Sequence, residues 1–274
     1  MDHDAQRATL LKALLDENPQ YRHLEIPTDI TEQKQLIRAL MNIRMPEPIS
    51  QNILEIQDAY LQEEQKDDIT YIDAFLPTDK DKRLYLWQGD MTTLKVDAIV
   101  NPANSAMLGC FRPLHNCVDN IIHSKAGIEL RLACHDYMTQ QAQKYGADYQ
   151  EPTGQAMITK GYNLPAHYVI HTVGPIISGR LTKEDEVLLA NCYKSCLTLA
   201  SNNNLTTIAF PCISTGVFHF PQDKAAKIAI NAVQEWIDEF KETSLQKVIF
   251  NVYKDEDYHY YNQLLNKRLP YKKS

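Results

Sequence analysis

The chain has 274 residues, a formal net charge of −7 at neutral pH, 44% hydrophobic and 23% charged residues. That balance suits one large folded domain or a domain with an extension, and excludes collagen-like, low-complexity and largely disordered classes. The acidic balance argues against non-specific nucleic-acid binding, which rests on Lys and Arg neutralising phosphates, and no apolar run reaches the roughly 20 residues that a membrane-spanning helix needs.

The chain opens with "MDHDAQRATLLKALL". It is acidic first and amphipathic afterwards, without the basic-then-apolar layout of a secretory signal, and this predicts a cytoplasmic protein. The same segment starts a helical pattern with Leu10, Leu11, Leu14 and Leu15 on one face, closed by Pro19. "DITEQKQLIRALMNIR" follows, with Asp29 and Glu32 in capping-box spacing and apolar Leu36, Ile37, Leu40 and Ile43. Pro46 and Pro48 interrupt the chain, and Ser50 caps a third predicted helix that runs through Tyr60 and Leu61. "EEQKDD" at Glu63 to Asp68 reads as a solvated linker. Residues 1–80 are therefore expected to form a helical N-terminal extension with no catalytic signature.

From Arg83 the period shortens. "RLYLWQG", "KVDAIVN", "QAMIT", "YVIHTVG", "TIAFPCI" and "KVIFNVY" read as strands. Between them lie the helical stretches "DNIIHSKAGIELRLACHDYMTQQAQ", "KEDEVLLANCYKSCLTLA" and "PQDKAAKIAINAVQEWIDEF". Alternating strands and amphipathic helices predict a layered α/β domain over residues 81–274. Short apolar runs such as "DAIV" and "TIAF" suit interior strands covered on both faces. Ligands in such sheets bind beyond the carboxyl ends of the strands, so the segments after each strand are the candidate site.

Three of those segments carry chemistry. Gly89-Asp90-Met91-Thr92 follows the first strand. Ser214-Thr215-Gly216-Val217-Phe218 follows "TIAFPCI" and leads into a helix at Pro221. Its free N–H groups could wrap a diphosphate, although loops of this composition are often plain turns. Asn101-Pro102-Ala103-Asn104-Ser105 runs into "MLGCFRPLHNCVDN", which holds Cys110, His115 and Cys117. Two thiolates and an imidazole form a donor set that zinc prefers, and a turn at Pro113 could gather them. His123 and Cys134 belong to the following helix pattern, so the set is expected to stop at three residues and leave a position open, as in a catalytic Zn²⁺ site. A closed structural zinc site, a redox thiol pair or no metal at all are the alternatives. Cys192, Cys196 and Cys212 read as core residues and His171 as an interior, hydrogen-bonded histidine.

"GDMT", "VNPANSAML", "PTGQAMITKGYNLPAHYVIHTVGP" and "PCISTGVF", in this order and spacing, resemble the macrodomain family over residues 83–265. The resemblance implies a three-layer α/β/α fold around a mixed sheet of about six strands, and ADP-ribose as ligand. It assigns the adenine amino group to Asp90, with Met91 beside it, and the distal ribose to Asn104. It assigns the diphosphate to Ser214, Thr215, Gly216, Val217 and Phe218, and adenine stacking to Tyr253. Two departures stand out: the family's glycine-rich loop is replaced by the Cys/His stretch, and His219 stands where glycine is usual. The first is similar to a zinc-containing microbial subset that carries a helical N-terminal extension. Membership there implies removal of mono-ADP-ribose from an acidic side chain of a modified protein, by a zinc ion near the distal ribose. Asn104 and Asp119 are then the candidate catalytic residues, and Cys117, Val118, Asp119 and Asn120 line the ribose or its immediate surroundings. The subset also implies a partner: a lipoyl-carrier protein modified by a sirtuin-type ADP-ribosyltransferase. A binding module with a structural zinc is the rival reading.

Overall fold

A computed structural model of the chain describes residues 1–266. Helices α1 (His3–Glu17), α2 (Ile30–Ile43) and α3 (Gln51–Gln65) come first. Strand β1 (Thr70–Tyr71), β2 (Leu84–Gln88), β3 (Leu94–Lys95) and β4 (Ala98–Ala103) follow. After them come α4 (Val118–Ala126), α5 (Ile128–Tyr145), β5 (Ala156–Lys160) and β6 (Tyr168–Val173). The remainder is α6 (Lys183–Asn202), β7 (Thr207–Phe210), α7 (Gln222–Glu239), β8 (Lys247–Val252) and α8 (Asp255–Leu265). No helix among the described residues is long and apolar enough to cross a membrane.

The six longer strands form one sheet in the order β2-β8-β7-β4-β6-β5. All neighbours are parallel except the β5–β6 pair at the edge. The strands are apolar throughout because both faces are covered. Val100, Ile170, Val248 and Phe250 point to one side, where Leu189, Tyr193, Ile230 and Trp236 of α6 and α7 close the core. Ile99, Val169 and Ile249 point to the other side and meet Ile122 and Leu130 of α4 and α5. This period-2 split produces the expected three layers around a mixed six-stranded sheet.

The N-terminal helices have their own core of Leu10, Leu11, Leu14, Ile37, Leu40, Tyr60 and Leu61, and Ile128 of α5 is inserted into it. The layer is also bonded to the α/β part. Asn163 Nδ2 donates to Asp58 Oδ1 (2.7 Å), Gln62 Nε2 donates to Asn163 Oδ1 (3.0 Å), and Gln65 Nε2 donates to the Lys125 carbonyl (3.1 Å). The segment Glu63–Asp68 is therefore not the free linker expected from its charge. Its first half completes α3, Gln65 is buried, and Glu64 pairs with His3 and Lys34. Ser50 stands at the N-cap of α3 as expected, but its hydroxyl makes no cap bond and its carbonyl receives Ile53 and Leu54 instead.

Two boundaries differ from the expected ones. The single helical pattern over residues 119–143 breaks at Gly127, where φ is +101°. The Ile128 N–H is taken there by Gln57 Oε1 of α3 (2.8 Å), and a Cβ on Gly127 would lie 2.8 Å from Gln57 Nε2. The strand expected from Lys95 starts at Ala98, because Asp97 is committed to a turn. Its Oδ2 accepts from Thr206 N (2.7 Å), Thr206 Oγ1 (2.7 Å) and Thr207 N (3.0 Å), which joins the entries of β4 and β7.

Burial pushes the Asp97 carboxyl up, but the bonds from Thr206 and Thr207 outweigh it and hold it below the ordinary value. A depressed carboxyl stabilises the fold fully above its unfolded value near 4 and loses that contribution as pH falls through the folded value. Asp97→Ala is expected to cost roughly 1–3 kcal/mol at pH 7. In urea titrations the gap to wild type should shrink as pH falls below about 4.

Candidate active site

Beyond Ala103 the chain leaves β4 in a tight turn. Asn104 Oδ1 accepts from Ala106 N (3.0 Å), and its Nδ2 donates to the Gly109 carbonyl (3.2 Å). Gly109 has φ +78°, and a Cβ there would stand 2.8 Å from the His123 ring, so only glycine lets the chain pass. Cys110, His115 and Cys117 then converge. Their ligand atoms all lie within 4.8 Å of one another, with Cys110 Sγ 3.6 Å from His115 Nδ1. Cys117 caps α4, and its Sγ accepts from Asn120 N (3.4 Å). Burial pushes the Cys117 thiol up to about 11; charge on Cys110 and Asp119 acts the same way, and the Asn120 N–H opposes it. A divalent cation would reverse that cost by binding the thiolate directly. Two sulfurs and one imidazole nitrogen in mutual reach fit zinc by donor type, and no fourth His, Cys, Asp or Glu belongs to this group among the described residues.

The residues after Cys117 are packed inward. Val118 opens α4 and packs against the core. Asp119 is 6% exposed, and its Oδ1 accepts from Asn101 Nδ2 (2.8 Å). Burial pushes its carboxyl up to about 6, while Asn101 and the Arg131 charge pull it down. Asn120 is fully buried: its Nδ2 donates to the carbonyls of Cys110 (3.3 Å) and Arg112 (2.9 Å), and its Oδ1 accepts from Arg38 Nη2 (2.9 Å). Asn104 and Asn120 thus spend their amides on shaping the loop.

A second group, His123, Cys134 and His171, also lies within mutual reach, wholly buried. His171 is the interior histidine expected. Its Nδ1 pairs with Asn101 Nδ2 (3.1 Å) and its Nε2 with Thr159 Oγ1 (3.0 Å). Burial pushes His171 down to about 3 and the Cys134 thiol well up. His171 is thus hydrogen-bonded at both ring nitrogens, whereas the buried His123 ring has no hydrogen-bond partner within the protein. Cys192 and Cys196 are buried as expected, and Cys212 packs at the edge of the same core.

After β7 the segment Ser214–Phe218 doubles back. Ser214 has φ +65° and His219 φ +59°, so two non-glycine residues in the left-handed region bracket the turn. Phe220 N donates to the Ser214 carbonyl (3.0 Å) and Ile177 N to the Phe218 carbonyl (2.9 Å). The buried Ser214 Oγ has no hydrogen-bond partner within the protein. After β2, Asp90 caps the turn Met91–Thr93, accepting from Thr92 N (2.9 Å) and Thr92 Oγ1 (2.5 Å), with Lys125 Nζ at 3.0 Å. Burial pushes the Asp90 carboxyl up, but Thr92 and Lys125 outweigh it, so the group is held in the charged form. Met91 is buried beneath it. After β8, Tyr253 is 77% exposed, and its backbone is held by Gln88 Nε2 (3.2 Å). Because β2, β4, β7 and β8 are parallel, all these segments leave the same edge of the sheet. Arg38, Asn42 and Arg131 complete the site with no signal in the sequence, and Asn101, within the segment singled out after the second strand, joins them. Asn101 lies inside β4, not after it, and its buried amide pairs with Asp119 and His171.

A Macro domain family profile matches residues 100–229. A protein named protein-ADP-ribose hydrolase from Treponema medium is 49% identical over 97% of this chain and 100% of its own length. A protein of the same name from Staphylococcus aureus strain MSSA476 is 45% identical over 89% of each chain. The Trypanosoma brucei macrodomain in complex with ADP-ribose superposes with a TM-score of 0.62 at 28% identity, covering 82% of this chain and 94% of that one. The chain belongs to the macrodomain family. Within it, full-length likeness joins it to relatives that carry the hydrolase name.

A Cβ on Gly174 would fall 2.1 Å from Ser214 Oγ, whereas one on Gly216 meets nothing within 4 Å. Gly174→Ala is expected to lower stability by roughly 1–3 kcal/mol through forced movement of the loop. Gly216→Ala should stay within about 0.5 kcal/mol of wild type. Thermal denaturation of the two variants side by side checks this.

Proposed function

We propose that this chain hydrolyses the bond between C1″ of ADP-ribose and an acidic side chain of a modified protein. Water is consumed, and free ADP-ribose and the carboxylate are released. The observation that carries the reading is the placement of Cys110, His115 and Cys117 directly after Asn104, on the sheet edge that also bears the Ser214 loop. Its ligand comes from the family: the T. brucei macrodomain is described with ADP-ribose, and the full-length relatives carry the hydrolase name.

In this reading Asp90, charged and held by Lys125, accepts from the adenine amino group, and exposed Tyr253 offers its ring to the base. The backbone N–H groups of Ser214 to Phe218 and the unpartnered Ser214 Oγ hold the diphosphate. Anchoring this far from the reacting carbon supplies orientation. Cys110, His115 and Cys117 would hold zinc. When bound, the ion supplies Lewis acidity that orients ribose hydroxyls and polarises the departing carboxylate. Asn104 fixes the start of the loop, and Asp119, steadied by Asn101, is assigned to ribose orientation and proton transfer. Val118 and Asn120 shape the wall beside them. The proposed target is a lipoyl-carrier protein modified by a sirtuin-type transferase in the cytoplasm, supported by the resemblance to the zinc-containing subset.

The test uses the full chain and a protein ADP-ribosylated on Asp or Glu, with release of free ADP-ribose followed with and without chelator. Cys117→Ala should lose zinc by elemental analysis and lose turnover by about 100-fold or more, in line with the several kcal/mol that a Lewis acid supplies. Loss of zinc with unchanged turnover overturns the metal's role. ADP-ribose binding without release from the wild-type protein would leave a binding module with a structural zinc.

A further inference from the structure

The loop from Cys110 to Cys117 has almost no backbone ladder of its own. Within it, His115 N reaches the Arg112 carbonyl at 3.3 Å. Leu114 adopts φ +53°, an unfavourable conformation for a branched side chain. Such a loop keeps one shape only if other elements hold it. Those elements are identifiable. Arg38 Nη2 donates to the carbonyl of His115 (2.8 Å) and to Asn120 Oδ1 (2.9 Å). Asn120 in turn holds the Cys110 carbonyl through Nδ2 (3.3 Å) and Cys117 Sγ through its backbone N–H (3.4 Å). Every metal-ligating residue is thus one hydrogen bond from either Arg38 or Asn120.

Helix α2 contributes a second contact. Asn42 Oδ1 accepts from the strained Leu114 N (3.0 Å), while its Nδ2 donates to Ser124 Oγ of α4 (2.8 Å). The end of α2 is itself tied to the loop entrance by one guanidinium. Arg131 Nη1 donates to the carbonyls of Met41 (3.0 Å) and Arg44 (2.5 Å), its Nε donates to the Leu108 carbonyl (2.8 Å), and its Cζ lies 4.2 Å from the Phe111 ring centroid. The carbonyls at a helix end need such donors, and a cation there also suits the helix dipole.

We infer that α2 of the N-terminal layer is part of the frame of the metal centre, with Arg38 as a positioning residue that sets the ligand geometry of Cys110, His115 and Cys117. The inference rests on the reading that these three residues hold a divalent ion. A partner that orients a ligand without touching the ion changes metal affinity by about 10- to 100-fold when lost. A residue that only glued the layer to the domain would change stability and leave the bound ion's properties alone.

Arg38→Met keeps the aliphatic stem and removes the donors. Zinc affinity of the full chain is measured by competition with a chromophoric chelator, and the cobalt-loaded proteins are compared by their visible absorption bands. Arg38→Met should bind zinc about 10- to 100-fold more weakly and shift the cobalt bands, while keeping a folded far-ultraviolet dichroism spectrum. Arg38→Lys should recover part of the loss, because both bonds arise from a single nitrogen that one ammonium can imitate. Arg38→Gln gives a second reading of the same loss if the methionine variant does not fold. Cys117→Ala runs alongside as the test of the metal centre itself. Zinc affinity within about two-fold of wild type and unchanged cobalt bands in Arg38→Met, with binding abolished in Cys117→Ala, overturn the inference about α2 alone. Unchanged zinc binding in Cys117→Ala overturns the metal reading on which it rests.

Discussion

The buried amide of Asn120 does for the Cys/His loop what a ladder of backbone bonds does for a strand. Its nitrogen serves two loop carbonyls, and its oxygen receives a guanidinium from another layer of the molecule. The loop it organises is irregular and includes a leucine in the left-handed region, so its shape has no local source. A satisfied polar network of this kind specifies one arrangement, and a half-satisfied one specifies none. The convergence of two sulfurs and an imidazole depends on it, since these side chains enter from different points of a loop that would otherwise sample many forms.

Around this hub the molecule separates two tasks. The parallel strands of the sheet deliver Asp90, Asn104, the Ser214 turn and Tyr253 to one edge, as any doubly covered α/β sheet delivers its loops. The turn after β7 stores strain in Ser214 and His219, both with positive φ, and leaves one buried hydroxyl without a protein partner. Strain and an orphan hydroxyl persist where the surroundings over-determine them, and sites for ligands are where such features collect. The Cys/His loop is built differently: it is braced from the side by α2 and α5, not presented by a strand end.

How far these features could be read in advance follows from the range of the interactions that make them. Strands such as "TIAF" and "KVIFNV" announce themselves because alternate residues must satisfy opposite cores, and all six appear in the sheet. The three metal-ligating candidates were visible because their spacing is local. The break at Gly127 was hidden, since the helical period continues through it and the cause is Gln57, which takes the N–H of Ile128 from 71 residues away. Glu63–Asp68 looked like a linker because its charges were visible and the contacts of Gln65 were not. Arg38 and Asn42 read as ordinary polar positions of an amphipathic helix. Their partners lie 72 to 82 residues away, beyond any pattern that a periodicity can show.

That separation bears on how the protein matures. Contacts between distant parts of a chain form at an entropic cost that local helices and turns do not carry. Helix α2 packs on α1 in the N-terminal core, while the loop carbonyl and N–H that it braces, at His115 and Leu114, lie 77 and 72 residues further along the chain. The shape of the Cys110–Cys117 loop therefore rests on contacts that exist only once the two layers have met.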